Sequence, residues 1–391
     1  MQNIEKITKT KKFEKYKNLT IKDEYYTQFI RERNLKKSTS KQYLKILTLY
    51  CNSQDLSVSE LIAEADYEEE NRVRNKNKTL TRRLKEYRTY LVENYQSLTV
   101  QEYFGKIKSF YRHFEIEVPY IPPIQLRKEY HERYDDIPRI EHIKEALEHT
   151  NNLLLRALIL FMASSGTARV ETLNLTIQGF IDATNDYHNS RDIISVCDEL
   201  TEQEDIIPIF EMTRQKTNYP YYTCCSPEAV TAIIRYLRGR ENIQGIDNLF
   251  DVASGTLSKL FNRLNDRIGW GKINKHNFFH PHALRKFHAT VIEDTGLANA
   301  LQGRKADSVS ESYFKHNPKR LREKYLDHLD KLTVNPVKVT RVDDEGTQRI
   351  HELEKALEQE RLARLSFEER LENLILSGEK EIKEVDIKKK I

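Results

Sequence analysis

Side chains suited to phosphodiester chemistry recur in the second half of this chain at short spacings. One arginine follows a turn of small residues at 164–168, and a histidine and an arginine stand three positions apart, on adjacent turns of one helix face. A lysine lies in a polar turn between two strand-like segments, and a tyrosine follows the last arginine of the set by nine residues. In chain order the residues are Arg169, Lys216, His282, Arg285, Arg304 and Tyr313.

These residue types fit one kind of reaction. Two guanidiniums, Arg169 and Arg285, can bind the non-bridging oxygens of a phosphate and stabilise the charge that develops on them without a metal. Free tyrosine has a pKa of about 10, so nearby cations must favour the phenolate or a base must take its proton. His282 is a candidate base or donor for that step.

Each residue taken alone also has a plainer explanation. An arginine after a turn usually ends a helix at the surface, a histidine often caps a helix or fills a core, and a turn lysine is normally solvated. Most of the 21 tyrosines must serve packing. Histidine is locally common around His282, with His280 and His288 nearby. The competing residues are Arg214 and Lys259 for Lys216, and Tyr325 for Tyr313.

Taken together, the order and spacing of the set resemble the tyrosine recombinase (phage integrase) family over about residues 130–333. That family has an arginine after a small-residue turn, a lysine in a β-hairpin, a His-x-x-Arg segment, and a tyrosine nine residues after a Leu-x-Gly-His segment. One position departs from the pattern, because Arg304 stands where the family usually has histidine, sometimes tryptophan. Arginine is a permanent cation with forked donors and could serve the same phosphate.

The segment around the tyrosine adds a narrower likeness. Ser312-Tyr313-Phe314, followed by Leu321, Tyr325 and Leu329, looks most like archaeal and archaeal-virus integrases. The helical region 20–115 resembles the family's core-binding domain by position and pattern.

The resemblance implies a mechanism. Tyr313 would attack the phosphorus and form a 3′-phosphotyrosyl link, and Lys216 would protonate the leaving 5′-oxygen as general acid. Because the covalent link conserves the phosphodiester energy, no ATP is needed, and no phosphate-binding Gly-x-x-x-x-Gly-Lys-Ser/Thr loop is present. No metal and no cofactor are expected.

The resemblance also implies partners. We expect double-stranded DNA attachment sites, and four protomers in the synaptic complex. A helix at 318–333 could dock on a neighbouring protomer, and no membrane partner is expected.

Local patterns predict a mostly α-helical chain with a small antiparallel β-sheet in an α+β catalytic domain, preceded by a helical domain. Candidate strands lie at 193–196, 205–211 and 219–224. The predicted divisions are a basic flexible arm at 1–17, a core-binding domain at 18–118, a Pro-containing linker at 119–133, a catalytic domain at 134–333, a helix with a possible coiled coil at 345–377, and a charged tail at 378–391.

Composition narrows the class of protein. The chain of 391 residues is 32% charged and 38% hydrophobic, polar for a compact enzyme but apolar enough to exclude whole-chain disorder. Its net charge is only +4, although residues 1–40 carry eleven basic and five acidic side chains. Four cysteines do not make a disulfide framework, and no long apolar run or signal region is present. We therefore expect a soluble, cytoplasmic protein.

Two other functions stay open at this point. A type IB topoisomerase uses related arginine, lysine and tyrosine groups and would act as a monomer. A DNA-binding accessory protein that has lost cleavage is the alternative outside enzymology, and Arg304 in place of histidine keeps it open.

Overall fold

The computed structural model describes residues 2–123, 133–304 and 317–335. The chain divides into two compact units, with the boundary between residues 132 and 133. The predicted helix at 345–377, the tail at 378–391 and Tyr313 all lie outside the described residues. Among the described residues no helix combines the length and apolar character that crossing a bilayer requires.

The first unit is helical. Aromatic side chains dominate its core, in which Phe29 contacts Tyr43 and Phe110 edge-on, and Tyr50 contacts Tyr87. Such edge-to-face contacts stabilise aromatic clusters beyond the burial of their area. The helices are α1 (Gln2–Lys22), α2 (Glu24–Glu32), α3 (Lys37–Gln54), α4 (Val58–Glu70), α5 (Thr79–Asn94) and α6 (Ser97–His113).

Residues 2–17 of the predicted basic flexible arm lie in α1, which continues to Lys22. Lysine and glutamate are good helix formers, and two side chains four positions apart anchor the helix. Tyr16 is buried and donates a hydrogen bond to Asp55 Oδ1 at 2.7 Å, and the hydroxyl of buried Thr20 donates to Tyr16 O. The end of the helix therefore belongs to the core of the first unit.

The second unit is mixed, with helices around a two-stranded hairpin. The helices are α7 (Ile140–Glu148), α8 (Leu153–Ser165), α9 (Arg169–Leu173), α10 (Ile177–Ala183), α11 (Ile193–Thr201), α12 (Pro227–Leu237), α13 (Ser254–Ile268), α14 (Pro281–Ile292), α15 (Thr295–Leu301), α16 (Pro318–Leu326) and α17 (Leu329–Leu332). The strands are β1 (Ile209–Arg214), β2 (Tyr219–Cys224), β3 (Lys272–Ile273) and β4 (His276–Asn277).

The mostly helical fold with a small antiparallel sheet is confirmed. β1 and β2 pair antiparallel, from Ile209 opposite Cys224 to Arg214 opposite Tyr219. Lys216 lies in the turn between them, as the sequence predicts. The first of these strands starts later than expected, at Ile209 rather than 205.

The expected strand at 193–196 is wrong, because these residues begin α11. Asp192 caps the helix by accepting hydrogen bonds from the backbone N–H groups of Ile194 and Ser195 at 3.1 Å. The buried side chains at 193, 196, 197 and 200 follow helical spacing. The β-branched composition therefore misled, and the period of the apolar residues carried the correct signal.

The region 318–333 forms two short helices, α16 and α17, rather than one. Leu321, Tyr325, Leu329 and Leu332 are buried in the core of the second unit itself. The apolar face of these helices is therefore covered by the protein's own core, and docking of the segment on a neighbouring protomer stays a prediction.

Candidate active site

Two turns bring the site together, and the first of them follows α8. This apolar helix ends at Gly166, which has φ +64°. A Cβ atom at this position would lie 2.5 Å from Nδ1 of the buried His288 ring, so both the backbone conformation and the contact require glycine. The turn leaves the Gly166 carbonyl facing α14.

Arg285 on α14 links this turn to the second one. Its guanidinium is buried, and it donates to Gly166 O and to Gln302 O, both at 2.7 Å. The Gln302 side chain donates back to Arg285 O at 2.9 Å and lies 3.1 Å from His288 Nδ1. These bonds fix the guanidinium from two sides.

The second turn ends α15 at Gln302 and Gly303. Gly303 has φ +59°, and a Cβ atom there would lie 2.4 Å from the ring of Tyr221 on β2. Arg304 follows at once, and its backbone N–H donates to Asn299 O at 2.9 Å. The close contact between Gly303 and β2 therefore sets the point from which Arg304 projects.

A buried carboxylate lies beside Arg285. Glu171 on α9 accepts hydrogen bonds from Arg214 Nη1 at 3.0 and 3.2 Å, and from Tyr221 OH at 3.3 Å. Its Oε2 lies 3.9 Å from Arg285 Nη1 and also accepts the Ala168 N–H at 3.0 Å. Glu171 thus lies between Arg214 and Arg285. Both arginines are far from Glu171 in the sequence, so no local motif indicates these contacts.

The cations outnumber the anion in this cluster, and both burial and the neighbouring positive charges lower the pKa values of Arg285 and Arg304. Burial first, and then the charges of Arg214 and Arg304, lower the pKa of Arg285 to about 10, although Tyr221 and Glu171 act in the opposite direction. Burial and the Arg214 charge also lower the pKa of Arg304. The nearby carboxylate compensates only part of the positive charge.

A cleft of about 430 Å³ opens beside Arg285. Arg169 lies on its wall, exposed, and donates to Ser258 Oγ on α13 at 2.9 Å. None of the described residues that line the cleft carries a carboxylate. The lining residues are Ala168, Arg169, Val170, Ser258, Phe261, Asn262, His276, Asn277, His280, Pro281, His282 and Arg285.

The environment of His282 disfavours its protonated form. Partial burial lowers its pKa, and the charges of Lys286, His280, Arg285 and Arg304 lower it further. A neutral imidazole can accept a proton from a substrate hydroxyl or donate a hydrogen bond from its N–H.

The structure thus brings three of the six sequence-predicted residues, Arg169, His282 and Arg285, to one cleft. Arg304 follows the turn that holds Arg285, and Lys216 lies exposed in the hairpin turn two residues after Arg214. The sixth, Tyr313, lies outside the described residues.

The rival nucleophile Tyr325 is buried in the core. Its hydroxyl donates to Ser164 O at 3.0 Å, and burial raises its pKa well above 10. A phenol without access to solvent and with a raised pKa cannot attack DNA.

Sequence reasoning missed the roles of Glu171, Arg214, Tyr221 and Gln302. Arg214 was considered only as a rival of Lys216, and its partner is 43 positions away in the sequence. Glu171 is two residues after Arg169, but nothing in that spacing indicates a bond to the hairpin.

Comparisons with known proteins add a likeness of fold. No protein-family model matches the chain, and no curated protein matches its sequence. Its structural neighbours are recombinases and integrases. XerA recombinase is 18% identical, with 78% of this chain and 96% of that chain covered and a TM-score of 0.31.

Two further neighbours were solved with nucleic acid. XerH recombinase bound to palindromic difH substrate is 16% identical, with 72% of this chain and 78% of that chain covered and a TM-score of 0.44. A lambda integrase tetramer bound to a Holliday junction is 13% identical, with 74% and 75% covered and a TM-score of 0.48. The narrower likeness to archaeal integrases has no support in these comparisons.

Proposed function

We propose that this protein is a site-specific tyrosine recombinase that cleaves and rejoins DNA strands through a 3′-phosphotyrosyl intermediate, without metal or ATP. The observation that carries the proposal is the cleft without acidic side chains, in which Arg169, His282 and Arg285 meet. A site with surplus positive charge, and with an imidazole whose pKa is lowered, suits a phosphodiester, because the phosphate supplies the missing negative charge.

Each residue has a role in this proposal. Arg285 and Arg169 bind the non-bridging oxygens, and Arg304 donates from the position where histidine is usual. His282 accepts the phenol proton or donates to the phosphate. Tyr313 forms the new O–P bond as the bond to the 5′-oxygen breaks, and Lys216 gives its proton to that oxygen.

The reverse reaction closes the strand. The 5′-hydroxyl of the same or another duplex attacks the phosphotyrosyl link and releases Tyr313. Double-stranded attachment sites, a homo-tetrameric synaptic complex and a cytoplasmic location stay predictions from the sequence.

Covalent trapping tests the proposal. A pool of nicked duplexes with randomised cores lets the short 5′ fragment diffuse away after cleavage, so the adduct accumulates and survives denaturation. We expect an adduct with the wild-type chain and none with Tyr313→Phe, although Tyr313→Phe still binds DNA. Tyr120→Phe is the matched control, because Tyr120 is 83% exposed and outside the site.

The outcomes separate the alternatives. Equal trapping by Tyr313→Phe would remove Tyr313 from the reaction. DNA binding without any adduct would favour the accessory protein that lacks cleavage. Relaxation of supercoiled DNA with no exchange between duplexes would favour a type IB topoisomerase.

A further inference from the structure

Glu171 contacts two arginines at unequal distances, and the proposed mechanism gives this carboxylate no role. Its carboxylate lies within reach of two buried or half-buried guanidiniums, and the distances differ. Arg214 Nη1 is 3.0 Å from Oε1, whereas Arg285 Nη1 is 3.9 Å from Oε2. Glu171 is thus hydrogen-bonded to Arg214, whereas its ion pair with Arg285 is long and has no hydrogen bond.

The burial of the three side chains makes this choice of partner matter. The exposed fractions are 3% for Glu171, 3% for Arg285 and 19% for Arg214. A buried carboxylate needs a cation, since leaving it unpaired costs several kcal/mol. If Arg214 were absent, Arg285 would be the adjacent cation able to pair with it.

Arg285 is the group that the proposed function needs for the phosphate. Two of its N–H donors are bound to backbone carbonyls, which leaves its positive charge uncompensated by those bonds. A close, hydrogen-bonded ion pair with Glu171, in place of the present contact at 3.9 Å, would neutralise that charge and occupy donors that a phosphate requires.

We propose that Arg214 is a positioning residue that binds Glu171 and thereby keeps this carboxylate from neutralising Arg285. Tyr221 supports the arrangement, because its hydroxyl donates to the same oxygen, Oε2, that faces Arg285. Burial, and after it the charge of Arg214, lowers the pKa of Arg285. The inference rests on the proposed function for the identity of the phosphate.

A single variant and a charge-balanced double variant together distinguish this role from an ordinary structural ion pair. Arg214→Gln should lower the yield of covalent adduct by about 100-fold, because Glu171 turns to Arg285. The double variant Arg214→Gln with Glu171→Gln removes that carboxylate and should recover at least about tenfold of the loss. An ordinary structural pair predicts no such recovery.

A second measurement does not depend on cleavage. The affinity for a short duplex should depend less steeply on salt in Arg214→Gln, by about one unit of the log–log slope, and the double variant should restore the slope. If the wild-type chain forms no adduct, the proposed function fails and this slope alone decides the inference.

Two controls guard against loss of the fold. Arg238→Gln removes an arginine from an exposed pair with Asp198 in the same unit and should leave both measurements unchanged. Arg214→Lys keeps a cation near Glu171 and should retain adduct within about tenfold of wild type. Unfolding is followed by the fluorescence of Trp270, the single tryptophan of the chain.

The inference is overturned if the double variant traps no more DNA than Arg214→Gln and its salt slope stays equally low. It is also overturned if Arg214→Gln, folded as judged by Trp270, traps and binds DNA like the wild type.

Discussion

Buried charge is arranged differently in the two units. Among the described residues of the first unit, the buried carboxylates Asp23 and Glu68 both bind backbone N–H groups at helix starts. Asp23 caps α2 and also accepts from Ser59, and Glu68 accepts from the first N–H groups of α5. Buried Lys78 in turn pairs with Glu69 at 3.1 Å. Each charge here has a structural partner.

In the second unit the buried carboxylate is surrounded by more cations than it can compensate. Glu171 faces Arg214 and Arg285, and Arg304 adds its charge to theirs. Natural proteins retain such an imbalance mainly at functional sites. The buried carboxylates of the first unit thus cap helix starts, whereas the second unit holds positive charge that its carboxylate does not fully compensate.

The largest difference between the units should appear when one arginine is removed from each, because one variant should lose trapping and the other stability. Arg285→Gln should lower covalent trapping by about 1,000-fold or more, because the phosphate loses its buried cation. Arg83→Gln breaks the bonds to Glu64 at 2.7 and 2.8 Å in the first unit and should lower stability by about 1–3 kcal/mol. Covalent trapping per folded molecule measures the first effect, and chemical denaturation measures the second.

If Arg83→Gln lowered trapping as far as Arg285→Gln does, it would be wrong to assign structural charges to the first unit and the reactive site to the second.

Acid should affect the second unit through a buried histidine. Burial, followed by the charges of Arg285, Arg304 and His328, lowers the pKa of His288 from 6.5 to about 3. The unfolded chain therefore binds this proton and the folded chain does not, so the free energy of unfolding falls as pH drops from about 6.5 towards 3. The slope from this group approaches about 1.4 kcal/mol per pH unit.

Denaturation followed by Trp270 fluorescence between pH 7 and 4 measures this slope. His288→Asn keeps a side-chain acceptor near Gln302 and should flatten the curve relative to wild type. Parallel curves for the two proteins would show that His288 is not the group that titrates.

A smaller effect is expected from a helix cap in the first unit. Glu68→Ala leaves the N–H groups of Thr79 and Leu80 without their acceptor and should cost about 1–2 kcal/mol. Hydrogen exchange at these two amides should speed up, whereas trapping per folded molecule should stay at the wild-type level. A loss of trapping in the folded fraction would contradict a purely structural role.

The smallest effect should have the opposite sign. Arg304→Gln removes one of several like charges near Arg285, and it should raise stability by about 0.5 kcal/mol at most, because Arg304 is exposed and screened by solvent. Trapping should fall in the same variant. Lower stability together with unchanged trapping would mean that Arg304 belongs to the structural charges.

Local patterns sufficed for much of the fold. The spacing of apolar residues predicted the helices of both units, and the β-branched and aromatic residues on either side of a polar turn at Lys216 predicted the hairpin, with β2 at its correct residues. Composition gave the wrong expectation at two places. At α11 the β-branched residues indicated a strand, although the apolar residues have helical spacing. At α1 the Lys-rich composition indicated an arm, although the segment is helical. In both cases a few buried side chains at helical spacing decide the structure.

The candidate site was only partly predictable for a physical reason. Residue types and order indicated Arg169, His282 and Arg285. The bonds that position them join residues far apart in the sequence, such as Arg285 with Gly166, 119 positions away. No local spacing encodes such contacts, so the carboxylate at Glu171 and its partner Arg214 appear only in the folded chain.

The most direct test of this account is a crystal structure of Tyr313→Phe bound to duplex DNA. The account predicts a backbone phosphate in the acid-free cleft, with a non-bridging oxygen about 3 Å from a guanidinium nitrogen of Arg285. A duplex bound elsewhere on the second unit, with the cleft holding no phosphate, would contradict it.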